Sequence, residues 1–452
     1  MAINNTNPWI GLDSYEEGQK LYGRDNEILS LSEWIMSHPQ TILCGRSGIG
    51  KTSILNAGIS PILRDYGYFP VNIRLEHGST SYINQIKNAV FDGLRQHNIR
   101  KGYEQLTDIG ECYEMVPAIN QKEETMWEFF HRYMYYDLYH NRIIPVIIFD
   151  QFEEIFTLGK DVKKINSFFI ELANLLNNIM PEYIVTNTNN DLETHPSIIE
   201  GYGLINIPDI YSGNVSNYLP SSDFRMIITL REDCLSILEQ YIRDKPSLKQ
   251  SKYFLQPITG EDALSIIMDP RPNLVDKNVA LKIISTINKD IPNVRLKDLK
   301  DLYVDSAILS LCLSQLYINK SAEDESITLS LVEQFDNRII DNFYSESIRD
   351  IPINIIEFLE DNLVNGECKR ECISLYQLHK NAIPDVYIDI LTNERKLLRK
   401  FVRNQHTMIE FIHDILCPIV DKHKQHRHNL INHHDGDFSI SKRIKDLRRV
   451  TM

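Results

Sequence analysis

The stretch TILCGRSGIGKTSILNAGI, Thr41 to Ile59, constrains the fold more than any other part of the chain. A short β-branched run leads into GRSGIGKT, residues 45–52, which satisfies the pattern GxxxxGK[ST], and a helical pattern follows it. Gly45, Gly48 and Gly50 permit a loop whose backbone N–H groups point inward, and the helix that follows adds its N-terminal dipole. Lys51 then reaches the β- and γ-phosphates of a nucleotide, and Thr52 offers a hydroxyl to Mg²⁺. Arg46 and Ser47 belong to the loop, with side chains expected toward solvent. Strand, loop and helix in that order call for a parallel sheet with helices on its faces.

The neighbouring sequence supplies such a sheet. Candidate strands are Thr41–Cys44, Phe69–Leu75, Pro145–Asp150, Arg225–Leu230 and Tyr253–Leu255, separated by helical patterns. PVIIFD and RMIITL are apolar on both faces and so are expected at the centre. Asp150 closes the first of these, where a carboxylate can hold Mg²⁺ together with Thr52. Glu153 or Glu154, just past the strand end, can orient an attacking water; spacing alone does not choose between them. An acidic cluster there also suits a helix N-terminus. At the end of RMIITLRED, Thr229 and Arg231 can face a γ-phosphate, or Arg231 can pair with Glu232 or Asp233 on the surface.

Beyond residue 260 the pattern turns helical, as in EDALSIIMDP and DSAILSLCLSQLY. Residues 351–421 fit three helices with a small β-wing: RKFVRNQHTMIEFIHDIL reads as a strand pair ending in a helix, and MIEFIHDILCPIV, Met408 to Val420, has helical apolar spacing with His413–Asp414 in its middle. The Asn-, Ser- and Pro-rich run from about 185 to 223 reads as a long irregular connection. The polar, His-rich end reads as poorly ordered.

Composition sets outer bounds. A chain of 452 residues suggests two to four domains, and 42% hydrophobic with 24% charged residues is ordinary for a globular protein. No apolar run approaches the roughly 20 residues a bilayer span needs, and the start lacks a secretion signal, so the expected compartment is the cytoplasm, without membrane. Seven scattered cysteines read as reduced thiols, with a zinc site at Cys368 and Cys372 as the alternative. A net charge of −14 disfavours a nucleic-acid coat, while the basic tail around Lys442–Arg449 and NERKLLRKFVRNQH keep a nucleic-acid partner open.

With these motifs placed, the chain resembles the STAND ATPases, signal-transduction switches related to the NACHT and apoptotic ATPases, and is most similar to their novel bacterial branch. The likeness rests on NPWIGLDSYEEGQKLYGRDNEI, ETMWEFFHRYMYYDLYHNRIIPVIIFDQFEEIFTLG, RMIITLREDCLSILE and NERKLLRKFVRNQHTMIEFIHDILCPIV, and covers about residues 7–425. It implies a P-loop NTPase with a parallel central sheet (25–255), preceded by an adenine-side segment (1–24). A helical lid (256–345), a winged helix (346–421) and a polar, basic tail (422–452) follow.

It implies ATP or ADP with Mg²⁺ as cofactors, and slow hydrolysis. In the implied nucleotide site, Tyr22, Gly23, Arg24 and Pro257 lie on the adenine side. Gly45, Ser47, Gly48, Ile49, Gly50, Lys51, Thr52 and Ser53 surround the phosphates, Thr52 and Asp150 hold the metal, and Glu153, Glu154 and Arg231 are catalytic. His413 matches the family histidine that contacts the β-phosphate of ADP. Read from residues alone, it is a structural residue or part of an HD-type metal site. ATP-dependent self-assembly is expected, with separate sensor and effector proteins or a truncated core. A winged-helix DNA-remodelling ATPase is the competing class.

Overall fold

The computed structural model describes residues 7–78, 80–100, 109–115, 124–157, 161–183, 223–249, 251–288, 294–321, 325–334, 339–366, 368–403 and 406–427. The connection expected at 185–222 and the tail beyond 427 lie outside them. The chain forms two compact units: Tyr15–Gln256, and the segment ending at Ser14 together with that beginning at Pro257.

The first unit is built on strands β1 (Gln40–Gly45), β2 (Tyr68–Ile73), β3 (Tyr113–Met115), β4 (Tyr133–Tyr136), β5 (Arg142–Phe149), β6 (Arg225–Arg231) and β7 (Lys252–Phe254). Five of them are parallel, in the order β2-β5-β6-β1-β7. The sequence pattern located these five, and PVIIFD and RMIITL lie inside the sheet as expected. β3 and β4 extend it antiparallel from the first residues of β5; their short aromatic runs carry no clear strand signal.

Alternation along the strands sends side chains to two cores, which is why the strands read as nearly continuous apolar runs. Ile42, Ile147, Phe149, Met226 and Ile228 pack with Val90 and Leu94 of helix Tyr82–Arg100 and Phe168 and Leu172 of helix Val162–Leu176. Leu43, Val146, Ile148 and Ile227 pack on the other face with Leu31 and Ile35 of helix Asp25–Ser37 and with Ile54, Leu55 and Ile59. These last three belong to the helix after the phosphate loop, which is α-helical at Lys51–Ser53, π-helical at Ile54–Ile59 and α-helical again at Ser60–Asp65. At Gly58 a Cβ would lie 2.6 Å from Cγ1 of Ile28, so only glycine lets the two helices approach this closely.

The second unit opens with β8 (Ile258–Thr259) paired to β9 (Tyr303–Val304). Helices Gly260–Met268, Lys277–Ile287 and Ser306–Asn319 each start at a side-chain cap, from Thr259, Asp276 and Asp305. Trp9 is buried in this unit and its indole N–H donates to the Ile266 carbonyl at 2.9 Å. The segment expected to lie wholly on the adenine side is thus divided, with residues 7–14 serving the helical core.

Helices Ile339–Ile348 and Ile353–Leu363 lead to a three-stranded antiparallel sheet of β10 (Cys372–Ser374), β11 (Leu398–Arg403) and β12 (His406–Phe411), ordered β10-β12-β11. Helices Leu375–Lys380 and Asp385–Asp389 stand between β10 and β11.

Here one expectation is corrected. The strand pair expected in RKFVRNQHTMIEF is present, but it takes in Met408–Phe411, whose apolar spacing reads as helix, because Arg399↔Glu410 and Leu398↔Phe411 pair across β11 and β12. Pairing supplied by a distant segment outweighs the apolar spacing. The helix proper occupies 417–427, running past the expected domain edge at 421. There His423 pairs with Asp341, and Arg427 with Glu360.

Candidate phosphate and metal site

The loop after β1 has the backbone its glycines demand: Gly48 and Gly50 adopt φ of 78° and 96°, in the left-handed region open chiefly to glycine. Gly45 is closed in on its side-chain face, where an added Cβ would meet Ile49 Cγ2 at 3.0 Å. Arg46 and Ser47 are exposed, as expected, and Arg46 pairs with Glu232. Lys51 Nζ donates to the carbonyls of Gly45 and Arg46, both at 2.9 Å, so the ammonium is folded over the loop. Burial lowers its pKa, against the raising pull of Glu153 and Asp150.

At the end of β5 three side chains converge. Thr52 Oγ1 lies 3.3 Å from both Asp150 carboxylate oxygens, and Thr229 Oγ1 donates to Asp150 Oδ1 at 3.1 Å. Register explains the meeting: Phe149 sits opposite Ile228, bringing the next residues of β5 and β6 abreast. The Thr229 hydroxyl also accepts from Gln151 N–H at 3.0 Å, and its carbonyl from Phe152 N–H at 3.1 Å. Those bonds fix a turn in which Gln151 has φ 52°, and the turn presents Glu153. Hydroxyl and carboxylate are hard oxygen donors, so Thr52 and Asp150 fit Mg²⁺ by chemistry and proximity.

The two glutamates separate clearly. Glu154 is committed to Arg74 at the end of β2 through a two-point ion pair, one contact of 2.7 Å. Glu153 is half-buried near Lys51 and Arg231, and that partial burial pushes its carboxyl up to about 7. Of the pair, Glu153 has the environment of a base. Arg231 lies beside Gly45 in the β1–β6 register, where its guanidinium takes both carboxylate oxygens of Asp233, at 3.1 and 3.0 Å. This is the ion pair weighed against a γ-phosphate role.

Ser53 accepts from the Tyr15 N–H at 3.2 Å, and Ile49 is buried. Tyr22 is half-buried and Gly23 turns with φ 69°, but Arg24 is almost wholly covered and directs its guanidinium at protein carbonyls. Pro257 begins the longer of the two segments that make up the second unit.

In that unit His413 sits in the turn between β12 and the following 3₁₀ segment Asp414–Leu416, not within a helix. Its Nδ1 accepts from the Ile415 N–H at 3.1 Å, which leaves the neutral ring's proton on Nε2. Arg370 clamps the turn, donating to the Phe411 and Ile412 carbonyls at 3.0 and 3.1 Å and pairing with Asp414 at 2.9 Å. Asp414 is thus tied into this turn, and among the described residues no group of three or more His, Cys, Asp or Glu side chains is placed to hold a metal ion. Arg74 and Arg370 were not anticipated; each lies far in sequence from its partner, a distance that no local pattern spans.

The family described as Novel STAND NTPase 1 matches residues 8–200. No curated protein matches the chain. Among solved structures, a Walker-type ATPase of Pyrococcus abyssi is similar at 10% identity, covering 90% of this chain and 98% of its own, with a TM-score of 0.41. The Aeropyrum pernix ORC2 protein, solved as ADPNP–ADP complexes, is similar at 13% identity over 92% and 98%, TM-score 0.40. The ORC1 protein of Aeropyrum pernix in complex with DNA gives 14% identity over 89% and 93%, TM-score 0.36. Likeness this distant carries no function from those proteins to this one.

Proposed function

Residues 8–200 belong to the STAND class of NTPases, and from that premise we propose that the chain is a nucleotide-dependent switch: closed with ADP, assembling with ATP, and reset by slow hydrolysis. The observation that carries the reading is the convergence of Thr52, Asp150 and Thr229 beside Lys51, with Glu153 half-buried at the same edge. Lys51 and the loop N–H groups bind the phosphates, Glu153 takes the proton of the attacking water, and Arg231 leaves Asp233 to meet the γ-phosphate. Mg²⁺ held by Thr52 and Asp150 would neutralise charge on the phosphate oxygens. A base with a pKa near 7 is only partly ionised at neutral pH, which suits a slow, regulatory turnover.

We assign the helical region from Gly260 to Ile348 as the lid and the region from Ile353 through the 417–427 helix as a winged helix. His413, its tautomer set and its turn clamped, is assigned as the reader of the ADP β-phosphate. Bacterial anti-phage or stress signalling with separate sensor and effector proteins is the setting that this reading implies. No helix among the described residues is long and apolar enough to cross a membrane.

The DNA-remodelling alternative is less well supported, because the basic residues of NERKLLRKFVRNQH are largely engaged. Arg395 pairs with Asp350, Lys396 with Asp13, Arg399 with Glu410 and Lys400 with Asp389. Sizing the purified protein with ADP and then with a non-hydrolysable ATP analogue tests the switch. The expected result is a larger assembly with the analogue, lost in Lys51→Ala; identical sizes in both nucleotides, with trigger present, refute it. Salt-dependent duplex binding that disappears on deleting residues 440–452 would instead favour the DNA-handling class.

A further inference from the structure

Arg24 was expected against adenine, yet its side chain is only 5% exposed and its donors are directed elsewhere. Nη2 donates to the Ile49 carbonyl at 3.0 Å, while Nη1 donates to the Gln256 carbonyl and to Glu27, each at 2.8 Å. A buried guanidinium is tolerated only when its donors are met, and here two carbonyls and a carboxylate meet them.

Ile49 is the residue before Gly50, within the phosphate loop. A trans peptide holds its C=O and N–H on opposite sides of the same plane. Fixing the Ile49 oxygen toward Arg24 therefore turns the Gly50 N–H away from Arg24, and Gly50 at φ 96° continues that turn into Lys51. Leu255 N–H, one residue before Gln256, bonds the Cys44 carbonyl at 2.8 Å, so the segment carrying the second carbonyl is itself tied to the base of the loop.

We propose that Arg24 is a positioning residue of the phosphate loop: gripping the Ile49 carbonyl from outside, it aims the Gly50 N–H at the anion. Its effect on affinity then depends on the phosphates of the ligand and not on its base. The proposal rests on the nucleotide-binding reading above.

The test is competition of a fluorescent ADP analogue by ADP and by AMP, in the full-length parent and in Arg24→Lys, which keeps the charge but loses the fork. The expected result is ADP affinity lowered about ten-fold, equivalent to about 1.4 kcal/mol, with AMP affinity changed less than about two-fold. Equal losses for both nucleotides overturn the proposal in favour of an adenine-side role, and no loss for either overturns it outright. If Arg24→Lys does not fold, Glu27→Gln loosens the same guanidinium and is expected to shrink the ADP-over-AMP preference in the same direction; an unchanged preference overturns the proposal. A parent that binds no ADP overturns the underlying nucleotide reading and this inference with it.

Discussion

Thr229 donates a 3.1 Å hydrogen bond to Asp150 and accepts one of 3.0 Å from the Gln151 N–H, so one hydroxyl on β6 holds both the acid ending β5 and the turn after it. Valine at this position keeps the shape and leaves the Gln151 N–H without its acceptor, at a cost of about 1–3 kcal/mol. Thr229→Val is expected to lower ATP turnover roughly ten- to hundred-fold while ADP affinity stays within about two-fold, and Thr229→Ser to restore turnover. Steady-state hydrolysis and ADP titration on the three proteins check it; equal activity in Thr229→Val removes the hydroxyl from the site.

Glu153 and Glu154 should fail differently. Glu153→Gln is expected to bind ATP and reduce hydrolysis by about a hundred-fold or more, trapping the ATP state. Glu154→Gln breaks the Arg74 ion pair, which is largely buried, and is expected to lower the melting temperature with a smaller effect on turnover. A turnover assay and a thermal melt on each variant separate the two; the reverse pattern would assign the base to Glu154.

The pH dependence follows from the raised Glu153 carboxyl. A base acts only when ionised, so turnover is expected to rise with pH through about 7 and then level off. Stability runs the other way. Because the folded protein favours the neutral carboxyl, this group's contribution is fully present below its ordinary value of 4.5 and is lost as pH rises through about 7. Glu153→Gln should flatten both trends, as urea midpoints and initial rates between pH 5 and 8.5 would report.

His413→Ala is expected to release ADP faster and to assemble without the trigger, since it deletes a donor whose tautomer is already set by Ile415. Stopped-flow displacement of a fluorescent ADP measures the release, and a rate equal to the parent's would leave His413 as a cap of the Asp414–Leu416 turn. Arg370→Ala should move the rate in the same direction by loosening the Phe411–Ile412 backbone.

The phosphate site was largely legible because its parts are contiguous. GRSGIGKT carries loop, lysine and hydroxyl within eight residues, and PVIIFD places Asp150 at the end of a buried strand. Near His413 two local signals overlap, a strand pair and a helical apolar spacing, and only the first holds as far as Phe411. Ile409, Ile412, Leu416 and Ile419 are spaced like one helix, but cross-strand pairing takes Met408–Phe411 into β12 and the helix begins at 417.

The five parallel strands, the glycine loop and the position of Asp150 just past a buried strand are readable in the sequence, because apolar alternation, glycine torsions and strand-end carboxylates are local properties. Only the tertiary structure decided what each charged side chain does. Arg24 holds a loop carbonyl, Arg74 occupies Glu154 while Glu153 lies half-buried near Lys51 and Arg231, and Arg231 rests on Asp233. A charge takes its role from burial and from partners within about 4 Å, and the fold alone brings together residues that lie 25 or 80 positions apart in the chain.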